Sequence, residues 1–152
     1  MVLPFLKLVQ GEEKLSPLVT IRENNLEGIA PNFQQQGFLR PDRIDLIVKG
    51  SWKECLVSPR SAKEYGIPTN GASSSESPSS LEMEPGSLSE ADILTQLQEG
   101  LYVSNAWYLN YSDRPGGRIT GMTRFATFWV ERGKISSPAE VMRFDDTIYN
   151  FL

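Results

Sequence analysis

The sequence contains 152 residues, 39% of them hydrophobic and 22% charged, and its formal net charge is −4 at pH 7. This length predicts one folded domain, and the acidic charge argues against a general nucleic-acid-binding protein, which needs a basic surface. No segment reaches the ~18–20 continuous apolar residues that cross a bilayer, so we expect no membrane association. Histidine is absent and cysteine occurs once, at Cys55, which excludes an intrachain disulfide and the usual zinc ligand sets. A cytoplasmic location is expected.

The first half of the chain predicts short strands. Three segments share apolar and strand-forming residues and are expected to be extended: residues 2–9, 18–22 and 26–33. A hairpin is expected around Gly50, because strand alternation puts Ile44, Leu46 and Val48 on one face before it and residues 52–57 follow it.

A short helix and a loop come next. Ser58 suits a helix N-cap, Pro59 the first helical position and Gly66 the exit. Residues 69–80, TNGASSSESPSS, are small and polar and predict a flexible loop. We interpret it as a loop within a single domain covering residues 1–152, because neither side alone supplies a convincing sheet.

A helix is expected over residues 87–98, with Ser89 as its N-cap and a buried apolar stripe. The stripe comprises Ile93, Leu94 and Leu97. Residues 101–111 and 118–130 then alternate in the way that predicts a long antiparallel hairpin. Residues 135–144 predict a last strand.

The chain ends inside an amphipathic helical pattern over residues 146–152, capped by Asp145, which leads us to expect a fragment of a longer protein. The fold class predicted from these elements is α+β, with a mainly antiparallel, strongly bent or barrel-like sheet and two or three short helices.

Most candidate chemical groups also have a purely structural interpretation. Cys55 lacks a histidine base and suits a half-buried strand position. Three carboxylate pairs suit solvated surfaces as well as acid–base or cation sites: Glu12/Glu13, Glu82/Glu84 and Asp145/Asp146. Six aromatic residues suit core and interface packing as well as stacking on nucleic-acid bases: Trp107, Tyr108, Tyr111, Phe125, Phe128 and Trp129.

The loop and return strand of the long hairpin hold the candidate binding residues. Arg114 and Arg118 flank Gly116-Gly117, a pattern that suits an anion site or simply a hairpin loop. In the run TGMTR, Gly121 predicts a bulge or a close backbone approach that could line a groove. The residues that could bind a peptide or other ligand are Arg114, Arg118, Gly121, Thr123 and Arg124.

Two runs, GLYVSNAWYLNY and TGMTRFATFWVERGKISSPAEVMRFDDTIYNFL, resemble the C-terminal domain of the TldD/PmbA family, also described as modulators of DNA gyrase. The matching features are a glycine-led strand, a Thr-Arg segment, an aromatic strand, Glu-x-Gly-x-Ile and Arg-Phe. They fall at Gly100, Thr123-Arg124, 128–130, 131–135 and Arg143-Phe144. The region from Gly28 through Leu46 to residues 58–66, and Pro-Gly within residues 84–89, also fit.

The resemblance implies a metallopeptidase assembly. Subunits of the TldD type carry a His-Glu-x-x-x-His zinc motif on an upstream helix and a Cys ligand near the end of the full chain. PmbA-type partners, also called TldE, lack a functional motif and pair with them around an enclosed chamber. The zinc motif has no matching position here and Cys55 does not match the Cys ligand, so no catalytic residue carries over.

The resemblance therefore implies a domain that forms chamber wall and subunit interface for peptide proteolysis or maturation. Its expected partners are a TldD/PmbA-type subunit, in a homo- or heterodimer, and a peptide substrate. No peptidase activity is expected from this chain alone, and zinc is expected only in the full-length protein or its partner. The alternative is a stand-alone binding module for an anionic ligand or single-stranded nucleic acid.

Overall fold

Two four-stranded antiparallel sheets organise the chain. The computed structural model describes residues 5–152, which divide into two compact units: residues 7–85 with Leu152, and residues 86–151 with residues 5–6. The antiparallel α+β class is confirmed. Both sheets are open rather than closed into a barrel, and four short α-helices are present among residues 5–152. Whether the chain acts as one domain stays a prediction.

The sheet of the first unit has the strand order β3-β2-β1-β4. Its strands are β1 (Ile21–Asn24), β2 (Arg43–Val48), β3 (Ser51–Trp52) and β4 (Leu81–Met83). Helices α1 (Leu6–Val9) and α2 (Pro59–Tyr65) precede and follow the β1–β3 segment. The predicted hairpin around Gly50 is confirmed as β2 and β3, although β3 ends at Trp52, earlier than expected.

Most of the buried apolar side chains among the described residues lie in this first unit. They come from β1, β2 and the segments beside them: Leu8, Leu15, Val19, Ile21, Ile44, Leu46, Ile47, Leu56 and Ala72. As predicted, Ile44 and Leu46 point into the core, and Val48 is half-buried.

Two strand predictions in this unit are wrong. Residues 6–9 form α1, because a short apolar run satisfies helix and strand patterns equally well; residues 2–4 of the predicted strand lie outside the described part. Residues 26–32 lie mostly in turns and bends, and Phe33 forms an isolated β-bridge with Leu39. Gly28 explains the turn, since a Cβ there would lie 2.2 Å from the Asn24 carbonyl oxygen and 2.3 Å from Ser80 Cβ. The strand expected at 18–22 begins at Ile21.

Helix α2 follows the sequence prediction closely. Ser58 has extended backbone angles and its hydroxyl accepts a hydrogen bond from Ser61 N, as an N-cap does. Pro59 occupies the first turn, and Gly66 ends the helix in the left-handed conformation with φ 67°.

The polar segment 69–80 is anchored at several points. The Asn70 side chain accepts from Val57 N at 2.8 Å and donates to the Cys55 carbonyl at 2.7 Å. Ala72 is buried, and the Ser79 and Ser80 amides both donate to Glu23 Oε1. The predicted mobility of this segment stays a prediction.

The second unit is built on a long hairpin of β5 (Gly100–Asp113) and β6 (Arg118–Glu131). Strands β7 (Lys134–Pro138) and β8 (Arg143–Thr147) both pair with β6, at opposite ends of it. The prediction of one continuous last strand over residues 135–144 is therefore wrong, because residues 139–142 separate two strands. Helix α4 (Ile148–Phe151) follows β8; it begins after the predicted start because β8 extends to Thr147.

Helix α3 (Ile93–Leu97) follows one turn of 3₁₀ helix at Glu90–Asp92, so the predicted 87–98 helix is present but shorter. Its expected stripe is not buried: Ile93 and Leu97 are exposed and Leu94 is half-buried. Val130 is the buried apolar residue of this unit among the described residues. No helix in the described part of the chain is long and apolar enough to cross a membrane.

Candidate functional site

The outer strand of the hairpin, β5, is exposed on both faces. Every β5 residue after Gly100 is exposed. These residues include seven large apolar side chains: Leu101, Tyr102, Val103, Trp107, Tyr108, Leu109 and Tyr111. β6 is the partner of β5 in the described sheet, so the other edge of β5 keeps its backbone groups unpaired there.

Two β-bulges interrupt the hairpin near its middle, one on each strand. Phe125 and Ala126 of β6 lie opposite Ser104, and Tyr108 and Leu109 of β5 lie opposite Gly121. Tyr108 and Phe125 have φ angles of 58° and 60°, a conformation in which bulges normally use glycine. Bulky residues held there cost about 1–3 kcal/mol each, and such strain concentrates at functional sites.

The bulges bring four side chains together. Adjacent residues on a regular strand point to opposite faces. Here the Arg124 guanidinium carbon nevertheless lies 4.5 Å from the centroid of the neighbouring Phe125 ring, and 3.8 Å from that of Trp107. Tyr108 makes an edge-to-face contact with its own neighbour Trp107, at 5.7 Å between centroids. We call Trp107, Tyr108, Arg124 and Phe125 the aromatic–arginine cluster.

The three candidate arginines have different surroundings. Arg118 is paired with Asp145, with its Nε at 2.9 Å and one Nη at 2.5 Å from Oδ1. Arg114, in the loop, lies 5.9 Å from the centre of the Tyr111 ring. Arg124 is held only by the aromatic rings and makes no hydrogen bond or ion pair within residues 5–152. Arg114 and Arg124 therefore retain free donors, whereas the guanidinium of Arg118 already has a carboxylate partner.

Gly121 and Thr123 have clear structural roles. A Cβ at Gly121 would lie 2.5 Å from the Phe144 ring and 2.8 Å from Leu109, so side chains rather than backbone approach it closely, and the bulge next to it is on β5, opposite Gly121. Thr123 is buried, and its hydroxyl accepts from Met142 N at 2.9 Å. A role of either residue in binding stays a prediction.

Members of all three carboxylate pairs form ion pairs or hydrogen bonds with other described residues. Glu84 pairs with Arg22, and Glu82 accepts from Asn24 Nδ2 at 2.5 Å. Glu13 lies 3.9 Å from Lys7. Asp145 pairs with Arg118, while hydrogen bonds from Thr147 N and the Asn150 side chain lower the pKa of Asp146. These contacts support the structural interpretation of the acids.

Cys55 borders a cleft of about 460 Å³ in the first unit, together with α2 and residues Ser74 and Glu76. Burial raises the pKa of the Cys55 thiol, which disfavours the thiolate that a nucleophile or metal ligand needs. Within residues 5–152, no group of three or more Cys, Asp or Glu side chains is placed to hold a metal ion, and the sequence has no histidine. The donors of this chain do not fit a zinc site.

All four members of the cluster were candidates from the sequence, the three aromatic residues in one group and Arg124 in another. Their proximity was not predicted. The missing information was the pair of bulges. Their residues are tyrosine and phenylalanine, so neither position carries the glycine or asparagine that signals positive φ.

Comparisons with known proteins agree on one family. The family model described as the PmbA/TldA metallopeptidase C-terminal domain matches residues 4–152. No curated protein matches the sequence.

Three solved structures share the fold at low sequence identity. One is a candidate modulator of DNA gyrase from Thermotoga maritima, with 18% identity and a TM-score of 0.78 over 99% of this chain. TldE from Thermococcus kodakarensis is 19% identical, with a TM-score of 0.72 over 95% of this chain. A further candidate modulator of DNA gyrase, from Bacteroides thetaiotaomicron, is 21% identical, with a TM-score of 0.71 over 95%. This chain spans 38%, 37% and 34% of their respective lengths.

Proposed function

The chain belongs to the PmbA/TldD metallopeptidase family as a C-terminal domain, and from this we propose that it forms chamber wall and subunit interface in a peptide-processing assembly. The partner in this proposal is a TldD/PmbA-type subunit, as a homo- or heterodimer, and the location is the cytoplasm. The metal of such an assembly would be bound by residues outside this chain, because the donors here do not fit zinc. We expect no peptidase activity from this chain alone.

The exposure of β5 is the observation that supports the interface. Large contiguous apolar surfaces on folded proteins mark sites of association, and long unpaired strand edges attract other chains. β5 combines both features over 14 residues. By contrast, β6 pairs with strands on both sides and buries Gly121, Thr123, Thr127 and Val130.

A peptide-handling role rests on the same hairpin. An extended peptide can add to a free strand edge through backbone hydrogen bonds, which places few demands on its sequence. The residues proposed to contact it are Arg114, Arg118, Gly121, Thr123 and Arg124. Arg114 and Arg124 are the strongest candidates among them because their guanidinium groups lack a carboxylate partner among the described residues.

Nucleic-acid binding is the less favoured function. The net charge of −4 opposes it, and the pairing of Arg118 with Asp145 reduces the positive charge at the hairpin loop.

Leu101→Glu is expected to abolish association with a TldD/PmbA-type subunit from the same genome, because Leu101 is exposed on β5 opposite Trp129 and a carboxylate there would be buried in the interface without a partner. The measurement is sedimentation of the two purified proteins, alone and mixed. Ile29→Glu is the matched control: Ile29 is 97% exposed and lies in the first unit, so this variant should associate normally. Unaltered association of Leu101→Glu, or equal loss in both variants, would contradict an interface on β5.

A further inference from the structure

We infer that the aromatic–arginine cluster is a recognition site for a carboxylate carried by the bound peptide. The inference rests on the proposed peptide-handling function and adds a chemical preference to it. Arg124 stands at the centre of the site, between the rings of Trp107 and Phe125.

The stacking leaves the hydrogen-bonding edge of Arg124 available. Rings at 3.8 and 4.5 Å occupy the neighbourhood of the guanidinium carbon, and cation–π attraction holds such a group in place. The N–H donors of a guanidinium lie in its plane and form a fork that matches the two oxygens of a carboxylate. No described residue accepts a hydrogen bond from them. The fork is therefore ordered and unpaired.

The surroundings favour a negative ligand. The acids of the hairpin strands, Asp113 and Glu131, stand at the far ends of β5 and β6, whereas Arg124 lies midway along β6 and pairs across the hairpin with the uncharged Asn105. At about 3.3 Å per residue, both acids are some 20 Å or more away along the strands, beyond the Debye length at physiological salt. Glu140 is nearer, since residues 139 and 142 hydrogen-bond to Thr127 and Thr123 of β6, but no carboxylate among the described residues forms an ion pair with Arg124.

The backbone strain supports a functional interpretation of the same residues. Phe125 and Tyr108 are held at positive φ, and in this conformation each ring contacts the side chain of the preceding residue. Glycine would relax both positions but would supply no ring. The strained conformation thus serves to assemble the cluster, which packing of the hairpin does not require, since Tyr108 and Phe125 are 68% and 71% exposed.

The test is a nitrogen-15 NMR titration of the purified protein, observing the side-chain signals of Arg124 and Trp107. The probes are three heptapeptides with a common strand-forming sequence: a blocked peptide with central Glu, the same peptide with central Gln, and the Gln peptide with a free C-terminal carboxylate. The Glu peptide should bind roughly tenfold or more tightly than the blocked Gln peptide. Tight binding of the Gln peptide with a free C-terminus would show that the site also binds a C-terminal carboxylate.

Arg124→Lys should remove this preference, because lysine keeps the charge but loses the fork and the stacking. Phe125→Gly should also remove it while keeping the fold, because glycine accommodates the positive φ. Arg43→Lys, a change to an exposed arginine of the first unit that pairs with Glu27, is the control that should leave the preference intact.

Equal affinities for the Glu and blocked Gln peptides would overturn the carboxylate site and leave the peptide-handling function standing. A preference that survives Arg124→Lys would place the site elsewhere and overturn it as well. If none of the peptides binds, both the inference and the peptide-handling function fail. If a twelve-residue oligothymidylate shifted the signals of Arg124 and Trp107 and none of the peptides did, the site would bind phosphate and the proposal would be overturned.

Discussion

Glu23→Ala is expected to lower the free energy of unfolding by about 3–5 kcal/mol, the usual cost of removing one partner from a buried ion pair. Glu23 is 2% exposed, and its Oε1 accepts hydrogen bonds from the Ser79 and Ser80 amides at 2.8 and 3.0 Å. The Arg40 side chain is 9% exposed and approaches Oε1 at 3.9 Å. Alanine would leave this buried charge and two backbone donors without their acceptor.

The measurement is urea unfolding of the purified protein, with Glu27→Ala as the matched control. Glu27 pairs with Arg43 at 3.1 Å, but both side chains are largely exposed, so its loss should cost at most about 1 kcal/mol. If Glu23→Ala and Glu27→Ala had the same free energy of unfolding, the contacts of the Glu23 carboxylate with residues 79 and 80 would not stabilise the protein.

Gly121→Val is expected to lower the free energy of unfolding by about 1–3 kcal/mol through overpacking. A Cβ at this position would lie 2.5 Å from Cζ of Phe144, its cross-strand partner, and 2.8 Å from Leu109 Cδ2. The Phe144 ring cannot simply swing aside because it packs against Phe151 at 5.4 Å. This cost should exceed the ~0.5–1 kcal/mol that a strand gains when glycine is replaced.

Gly86→Val is the control for this substitution, since a Cβ at Gly86 meets nothing within 4 Å. Thermal unfolding should show a lower midpoint for Gly121→Val and a change within about 0.5 kcal/mol for the control. Equal midpoints for the two variants would mean that β8 moves away from Gly121 at little cost.

Elements that are determined by residues close together in the sequence could be predicted. Helix α2 could be placed from Ser58, Pro59 and Gly66 because caps act within a few residues. The long hairpin could be placed because its alternation extends over many residues. Residues 6–9 were assigned wrongly because a short, mostly apolar run fits a helix turn as well as a strand.

Features that depend on distant residues could not be predicted. Glu23 reads as an ordinary strand acid, and only the fold shows that it is buried beside Arg40. The apolar stripe of α3 was expected to be buried, yet Ile93 and Leu97 remain exposed, since burial depends on what packs against a helix and not on its pattern alone. The bulges at Tyr108 and Phe125 could not be predicted, because neither residue is the glycine or asparagine that usually indicates a positive φ.

We propose above all that β5 forms an interface in a PmbA/TldD-type assembly. Hydrogen exchange over residues 100–113, measured on the purified protein alone and mixed with a TldD/PmbA-type subunit from the same genome, tests it most directly. Amides at the unpaired edge of β5 should exchange rapidly in the protein alone and slow by at least about tenfold in the mixture. Unchanged exchange across β5 in a mixture that does associate would contradict the account, because the interface would then lie elsewhere.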